Sequence, residues 1–183
     1  MRQNKPFQTA LIAFLLFFLA AAVGAQNAQV VSVDNDDQTE IDARIARISF
    51  VEGDVQIRRA GSQDWETAVL NLPLVEGDEI ATAFESRVEI QFDTRNFLRL
   101  AGDSSLRLTT VREDGIAVTM PQGTLSFRAF DFDKGNNFVE IDAPRSTVSV
   151  QKSGLYRIDA PGTGDELKLT VTEGGEARIY SEH

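Results

Sequence analysis

From Ala43 onward, apolar residues fall on alternate positions. Ala46, Ile48 and Phe50 share one side while Ile45, Arg47 and Ser49 take the other, and Val88, Ile90 and Phe92 oppose Arg87, Glu89 and Gln91. The same period of two gives Leu106/Leu108, Ile116/Val118/Met120, Leu125/Phe127, Val148/Val150, Tyr156/Ile158 and Leu167/Leu169/Val171. Alternation over short windows, bounded by Gly-Asp, Asp-Gly and Gly-Gly, marks strands buried on one side. No stretch sustains helical spacing over three turns. The pattern predicts an all-β domain running from Arg44 to Tyr180.

A repeat refines the architecture. Val51-Glu52-Gly53-Asp54-Val55-Gln56-Ile57 returns as Val75-Glu76-Gly77-Asp78-Glu79-Ile80, and Glu173-Gly174-Gly175-Glu176-Ala177-Arg178-Ile179 is a looser echo. In each, glycine supplies a turn conformation that other residues avoid, and a new strand follows at once. Many short antiparallel strands at even spacing suit an elongated, twisted two-sheet arrangement with solenoid character; a compact β-sandwich is the alternative.

The N-terminus has a different pattern. Arg2 and Lys5 precede an apolar run from Ala10 to Val23, which ends in Val23-Gly24-Ala25. That run is shorter than the roughly 20 residues of a spanning helix. It reads as a cleavable secretory signal over residues 1–25, with an uncleaved anchor as the alternative. Residues 26–42 are polar and acidic and read as a flexible leader; residues 43–183 form the β domain. A periplasmic or secreted location follows, with no transmembrane segment after cleavage. Losing Arg2 and Lys5 takes the formal net charge from −10 to −12. An acidic balance of that size argues against nucleic acid, whose phosphates need a basic footprint.

Candidate chemistry is sparse. The chain has no cysteine, and its one histidine is His183. Zinc sites and Ser-His-Asp or Cys-His catalysis need groups that are missing, so no enzyme and no cofactor is expected. Glu52/Asp54, Glu76/Asp78 and Asp78/Glu79 are paired carboxylates, but their Glu-Gly-Asp settings are turns where water keeps both ionised. Asp34, Asp36 and Asp37 read as a solvated tail. Asp131-Phe-Asp133-Lys-Gly135-Asn136-Asn137 has calcium-like oxygens but departs from the calcium-loop pattern, and reads as a polar hairpin turn.

The order of motifs from about Ile48 to Ile179 resembles the FecR domain, the all-β extracytoplasmic part of ferric-citrate regulators. Trp65 precedes a Pro73-Leu74-x-x-Gly77-Asp78 turn; Gly123-Thr-Leu-Ser-Phe-Arg and Glu140-Ile-Asp-Ala-Pro144-Arg-Ser-Thr-Val resemble two family strands. Gly154-Leu-Tyr-Arg157-Ile-Asp and Val171-Thr-Glu-Gly174-Gly-Glu-Ala resemble the closing ones. The likeness is nearest to a secreted FecR-like subgroup. It implies an interaction or envelope-sensing module, with Trp65 and Leu74 packed beside the Gly77 turn. Family regulators carry a cytoplasmic helical anti-sigma segment before their membrane span. The residues ahead of the apolar run here are too few for one.

Some phenylalanines break the alternation. With Leu125 and Phe127 inward, Ser126, Arg128, Phe130 and Phe132 point outward, and Phe97 and Phe138 are likewise out of register. A bulge near Ala129 or a strand buried on both faces is one explanation. An exposed aromatic patch of Phe130, Phe132 and Phe138 for a protein partner or a glycan is the other. Outward Arg99, Arg107, Arg128, Arg157, Lys168 and Arg178 interleave with Glu89, Glu140 and Asp159, as on a solvated, charge-paired sheet face. The expected partner is an envelope protein, with a carbohydrate- or peptidoglycan-associated module as the rival reading. Aromatics exposed in a row would favour glycan; open edge strands would favour protein.

Overall fold

The computed structural model describes residues 45–162 and 167–181, with no helix among them. The signal segment, the acidic leader and Asp34, Asp36 and Asp37 lie outside the described residues. No helix among the described residues is long and apolar enough to cross a membrane. The domain is all-β. In chain order its strands are β1 (Ala46–Glu52), β2 (Val55–Arg58), β3 (Trp65–Thr67), β4 (Pro73–Leu74), β5 (Glu79–Thr82), β6 (Arg87–Gln91) and β7 (Phe97–Leu100). There follow β8 (Ser104–Val111), β9 (Gly115–Ala129), β10 (Phe138–Ala143), β11 (Ser146–Val150), β12 (Gly154–Ala160), β13 (Lys168–Thr172) and β14 (Ala177–Ser181).

All 14 strands join one strongly curled, open sheet. It has two arms. The first runs β4-β1-β6-β7-β9-β12-β13 and the second β3-β2-β5-β8-β9-β10-β11-β14. Strand β9 belongs to both: Ile116 to Thr119 pair with β8 and β10, whereas Gly123 to Ala129 pair with β12. The handover falls at Gly123, whose φ is +109°, and a Cβ there would sit 2.4 Å from the Ser104 Cα. Only glycine fits that approach. The two sheets expected from sequence are thus arms of one sheet. Every pair is antiparallel except β9–β10.

The chain changes arms at short corners, and most of these hold a left-handed residue. Gly53 (φ 77°) links β1 to β2, Asn71 (64°) β3 to β4, Gly77 (88°) β4 to β5, and Glu85 (57°) β5 to β6. Asp103 (55°) links β7 to β8, and Gly174 (76°) β13 to β14. The Val-Glu-Gly-Asp repeat is therefore a corner signal. Inward residues of both arms form one core that includes Ile48, Ile90, Leu106, Phe127, Val148 and Ile158. Phe50 departs from its expected side. A bulge at Ser49 pairs Phe50 with Glu89 instead of Val88, which turns Phe50 outward and hands the inward side to Val51.

Asp78 is completely buried. Its carboxylate accepts N–H bonds from Ala60 (3.0 Å) and Val75 (3.1 Å) and pairs with Arg59 at 3.0 Å. Arg59 also bonds the Pro73 carbonyl and Glu66. The same corner donates from Gly77 N to Leu108 O and accepts Leu108 N at Asp78 O. Leu74 is buried beside it, as expected. Trp65 is not. It lies on the short edge strand β3, is 44% exposed, and carries the Arg58 guanidinium 5.0 Å from its ring centroid. A three-residue strand with every side chain exposed has no inward side to offer the indole.

Tyr156 fills the other end of the core. Its hydroxyl donates to the Lys152 carbonyl and accepts the Glu176 N–H at 3.0 Å, tying β12 to the corners before β12 and before β14. Burial pushes the phenol above its ordinary value, with the carbonyl bonds opposing. A raised folded-state value means that this contribution is present below about pH 10 and is lost as pH rises through the folded-state titration.

Two outcomes are expected. In chemical denaturation, Asp78→Ala lowers stability by about 2–4 kcal/mol because the Ala60 and Val75 N–H groups lose their buried acceptor. Trp65→Ala costs only about 1 kcal/mol, the scale of an exposed cation–π pair. The second concerns alkali. Stability of the wild-type domain falls above pH 10 as Tyr156 ionises. Tyr156→Phe, less stable at neutral pH, shows a smaller alkaline loss when both are followed by urea midpoint against pH.

Candidate functional site

Three of the four off-register phenylalanines, Phe130, Phe132 and Phe138, line one hollow. Three segments build it: the β6–β7 turn (93–96), the β8–β9 turn (112–114) and the β9–β10 crossover (130–137). They surround a hollow of about 260 Å3. Asp93 organises the first turn by accepting the N–H groups of Arg95 and Asn96, both at 2.7 Å, and the Asn96 amide at 2.6 Å. Asn96 Oδ1 then accepts the Phe130 N–H at 2.9 Å. On the far side Phe132 N donates to Ser153 Oγ and Phe138 N to the Asp114 carbonyl, both at 2.9 Å.

These anchors divide the expected patch. Phe138 occupies the space left by Gly115: a Cβ on Gly115 would lie 2.0 Å from the ring. Phe132 packs on the core and is half-buried. Both are packing residues. Phe130 is the outward one, 47% exposed, with the Arg95 guanidinium 5.5 Å from its ring centroid and Arg95 itself paired with Asp131. Phe97 is half-buried on β7, opposite Arg128. The strand does end at Ala129, and Asp131 adopts a left-handed φ of 56° just beyond.

The Asp131–Asn137 stretch is corrected in one respect. It joins parallel strands and so is a crossover, not a hairpin turn. Its turn is closed by Asp133, which accepts Gly135 N (2.9 Å) and the Asn136 amide (2.8 Å). Among the described residues no cluster of three or more His, Cys, Asp or Glu side chains is arranged to hold a metal. The paired carboxylates are engaged in the fold: Glu52 with Arg87, Asp54 with Gln56, Glu76 with Val111 N and Glu79 with Arg58.

The remaining motif residues are dispersed along the framework. Gly154 is buried, and a Cβ there would lie 2.4 Å from Gly175 Cα. Pro144 sits in the β10–β11 turn beside left-handed Arg145. Arg157 faces outward and pairs with Asp159 at 2.8 Å. Burial alone would raise the Asp159 carboxyl, but bonds from Arg157 and Thr124 outweigh it and hold the group below its usual range. Sequence reasoning missed Arg95 and Asn96, which position Phe130. The Asp-Thr-Arg-Asn turn composition was the available signal.

No protein-family model matches this chain, and no curated protein or solved structure is significantly similar to it.

Thermal and chemical unfolding separate the roles of the phenylalanines. Phe138→Ala lowers stability by about 2 kcal/mol through lost burial. Gly115→Ala costs a similar amount, about 1–3 kcal/mol, by overpacking the same ring. Phe130→Ala changes stability by less than about 1 kcal/mol.

Proposed function

We propose that the chain is a non-enzymatic, extracytoplasmic interaction module of FecR-like type, exported through its N-terminal segment and bound to a protein of the cell envelope. One observation carries the choice of a protein partner. Strand β14 pairs with β11 alone among the described residues, so its other side is an open edge. Ile179 on that strand is 48% exposed, although it sits beside buried Val148, and Tyr180 is 55% exposed. An edge with unpaired backbone groups and half-covered apolar side chains suits the addition of a partner's strand. Exposed aromatics, by contrast, form no row: Phe50, Trp65, Phe84, Phe130 and Tyr180 stand on separate segments. The lack of a cysteine and of any histidine before His183 supports a non-enzymatic role.

The test uses the full chain in its native envelope with a photo-crosslinking residue at Tyr180 or, as control, at Phe84. A discrete adduct from Tyr180 alone, on a chain whose mature N-terminus is Gln26, is the expected result. Ile179→Lys should abolish it while leaving the unfolding midpoint within a few degrees. Equal adducts from both positions, or an adduct indifferent to Ile179→Lys, would remove the edge-strand reading. An intact Met1 on cytoplasmic protein would remove the location.

A further inference from the structure

The outward face of the first arm holds a second hollow, of about 510 Å3. Its floor is built from small side chains, Ala101, Thr124 and Ser126, and three arginines line it. Strand register explains the shape. Glu89, Arg99, Ser126 and Arg157 lie side by side across β6, β7, β9 and β12. Arg99 and Arg157 therefore stand two strands apart, about 10 Å, with a serine between them. Arg87 lies two residues from Glu89 along β6 and so shares its face. The bulge at Ser49 turns Phe50 outward into the lining, where the Arg87 guanidinium lies 5.9 Å from its ring centroid.

Each arginine is held by a carboxylate and keeps donor capacity. Glu89 takes Arg99 Nε at 2.6 Å, and Glu52 takes Arg87 Nε at 2.5 Å. Among the described residues, the terminal nitrogens of Arg87 and Arg99 make no hydrogen bond. Asp159 takes Nε and one terminal nitrogen of Arg157. All three side chains are more than half exposed, at 64%, 58% and 53%. The carboxylates orient the guanidinium groups without enclosing them.

We infer that this hollow binds an acidic carbohydrate, a short stretch of uronate-bearing glycan. Guanidinium forks match sugar carboxylates in a two-bond geometry that a lysine does not offer. The Ser126 and Thr124 hydroxyls match ring hydroxyls, and the apolar face of a sugar ring can rest on Phe50. The volume falls in the range of small-ligand sites, about 300–1,000 Å3. Two rivals fit less well. A peptide bound as a strand needs an open edge, and this hollow lies over the middle of a fully paired sheet. A nucleic acid needs a continuous basic track along its phosphates, and three carboxylate-paired arginines do not supply one. The inference is independent of the β14 edge.

Calorimetric titration of the mature domain with trigalacturonate tests it, with maltotriose as the neutral control and sodium sulfate as the simple anion. Trigalacturonate should bind, at least tenfold more tightly than maltotriose, and weaken as salt rises. Arg99→Gln and Arg157→Gln should each reduce affinity at least tenfold, whereas Arg128→Gln, on the same face but outside the hollow, leaves it unchanged. If an arginine variant loses stability, Ser126→Val decides: it fills the floor without altering charge and should abolish binding. No binding, equal binding of maltotriose, full competition by equimolar sulfate, or indifference to Ser126→Val would each overturn the assignment.

Discussion

The fold depends on one buried carboxylate. Asp78 lies at the corner between β4 and β5, and its two oxygens join two segments: Arg59 and Ala60 after β2, and Val75 in its own turn. A carboxylate stripped of water is stable only when its acceptor sites are met, and here backbone donors and a guanidinium meet them. Gly77, one residue earlier, has to be glycine for two reasons. Its φ is +88°, and a Cβ would press within 2.9 Å of Ala60 Cβ. Because Ala60 must approach that closely for its N–H to reach Asp78, the glycine and the aspartate form a single device. The adjoining Glu76 bonds Val111 N, so this corner also grips β8 of the second arm.

That grip matters because the chain has no covalent cross-link. A curled sheet with a shared core must be closed by its corners, most of which hold a residue in left-handed conformation. Where glycine stands there the conformation is cheap; where Asn71, Glu85, Asp103 or Glu173 stands, a strain of order 1–2 kcal/mol is borne by the surrounding pairing. Strand β9 reduces the number of corners by passing between arms without breaking. It manages this through Gly123 and the Ser104 hydroxyl, which accepts the Thr124 N–H at 2.9 Å where the ladder changes partners. Tyr156 plays the corresponding part near the β13–β14 corner, with a hydroxyl in place of a carboxylate.

Local pattern made the strands and the corners legible. Alternation identified the inward side of β6, β8, β11 and β12, and Gly-Asp punctuation located the changes of arm. What was not legible came from contacts between distant segments. Phe50 follows the alternation in sequence but not in space, since a bulge is a mismatch with a strand some 40 residues away. The FecR resemblance implied a packed Trp65, yet its strand is too short and too peripheral to have a core side. Phe138 could be recognised as packed only once Gly115 lay beside it across a parallel pair. The arginine hollow was seen as an ordinary charge-paired face. Its pairing was read correctly, but the small floor residues gain meaning only when β7, β9 and β12 are neighbours.

Edge and face of this sheet pose different chemical problems. At the β14 edge the unsatisfied groups are backbone, so a ligand must itself be backbone, and selectivity falls to alternate side chains such as Ile179 and Tyr180. Over the middle of the first arm the strands have neighbours on both sides, and a ligand meets mainly side chains. There the arrangement is a set of fixed cations above hydroxyls and one aromatic ring, which recognises spaced charge and polar groups instead of a chain direction. The acidic balance of the whole molecule sharpens this second surface. A long polyanion is held off by the general field, while a short anionic ligand could meet the arginines locally at little electrostatic cost. The two proposed recognition modes therefore use different residues of the same sheet.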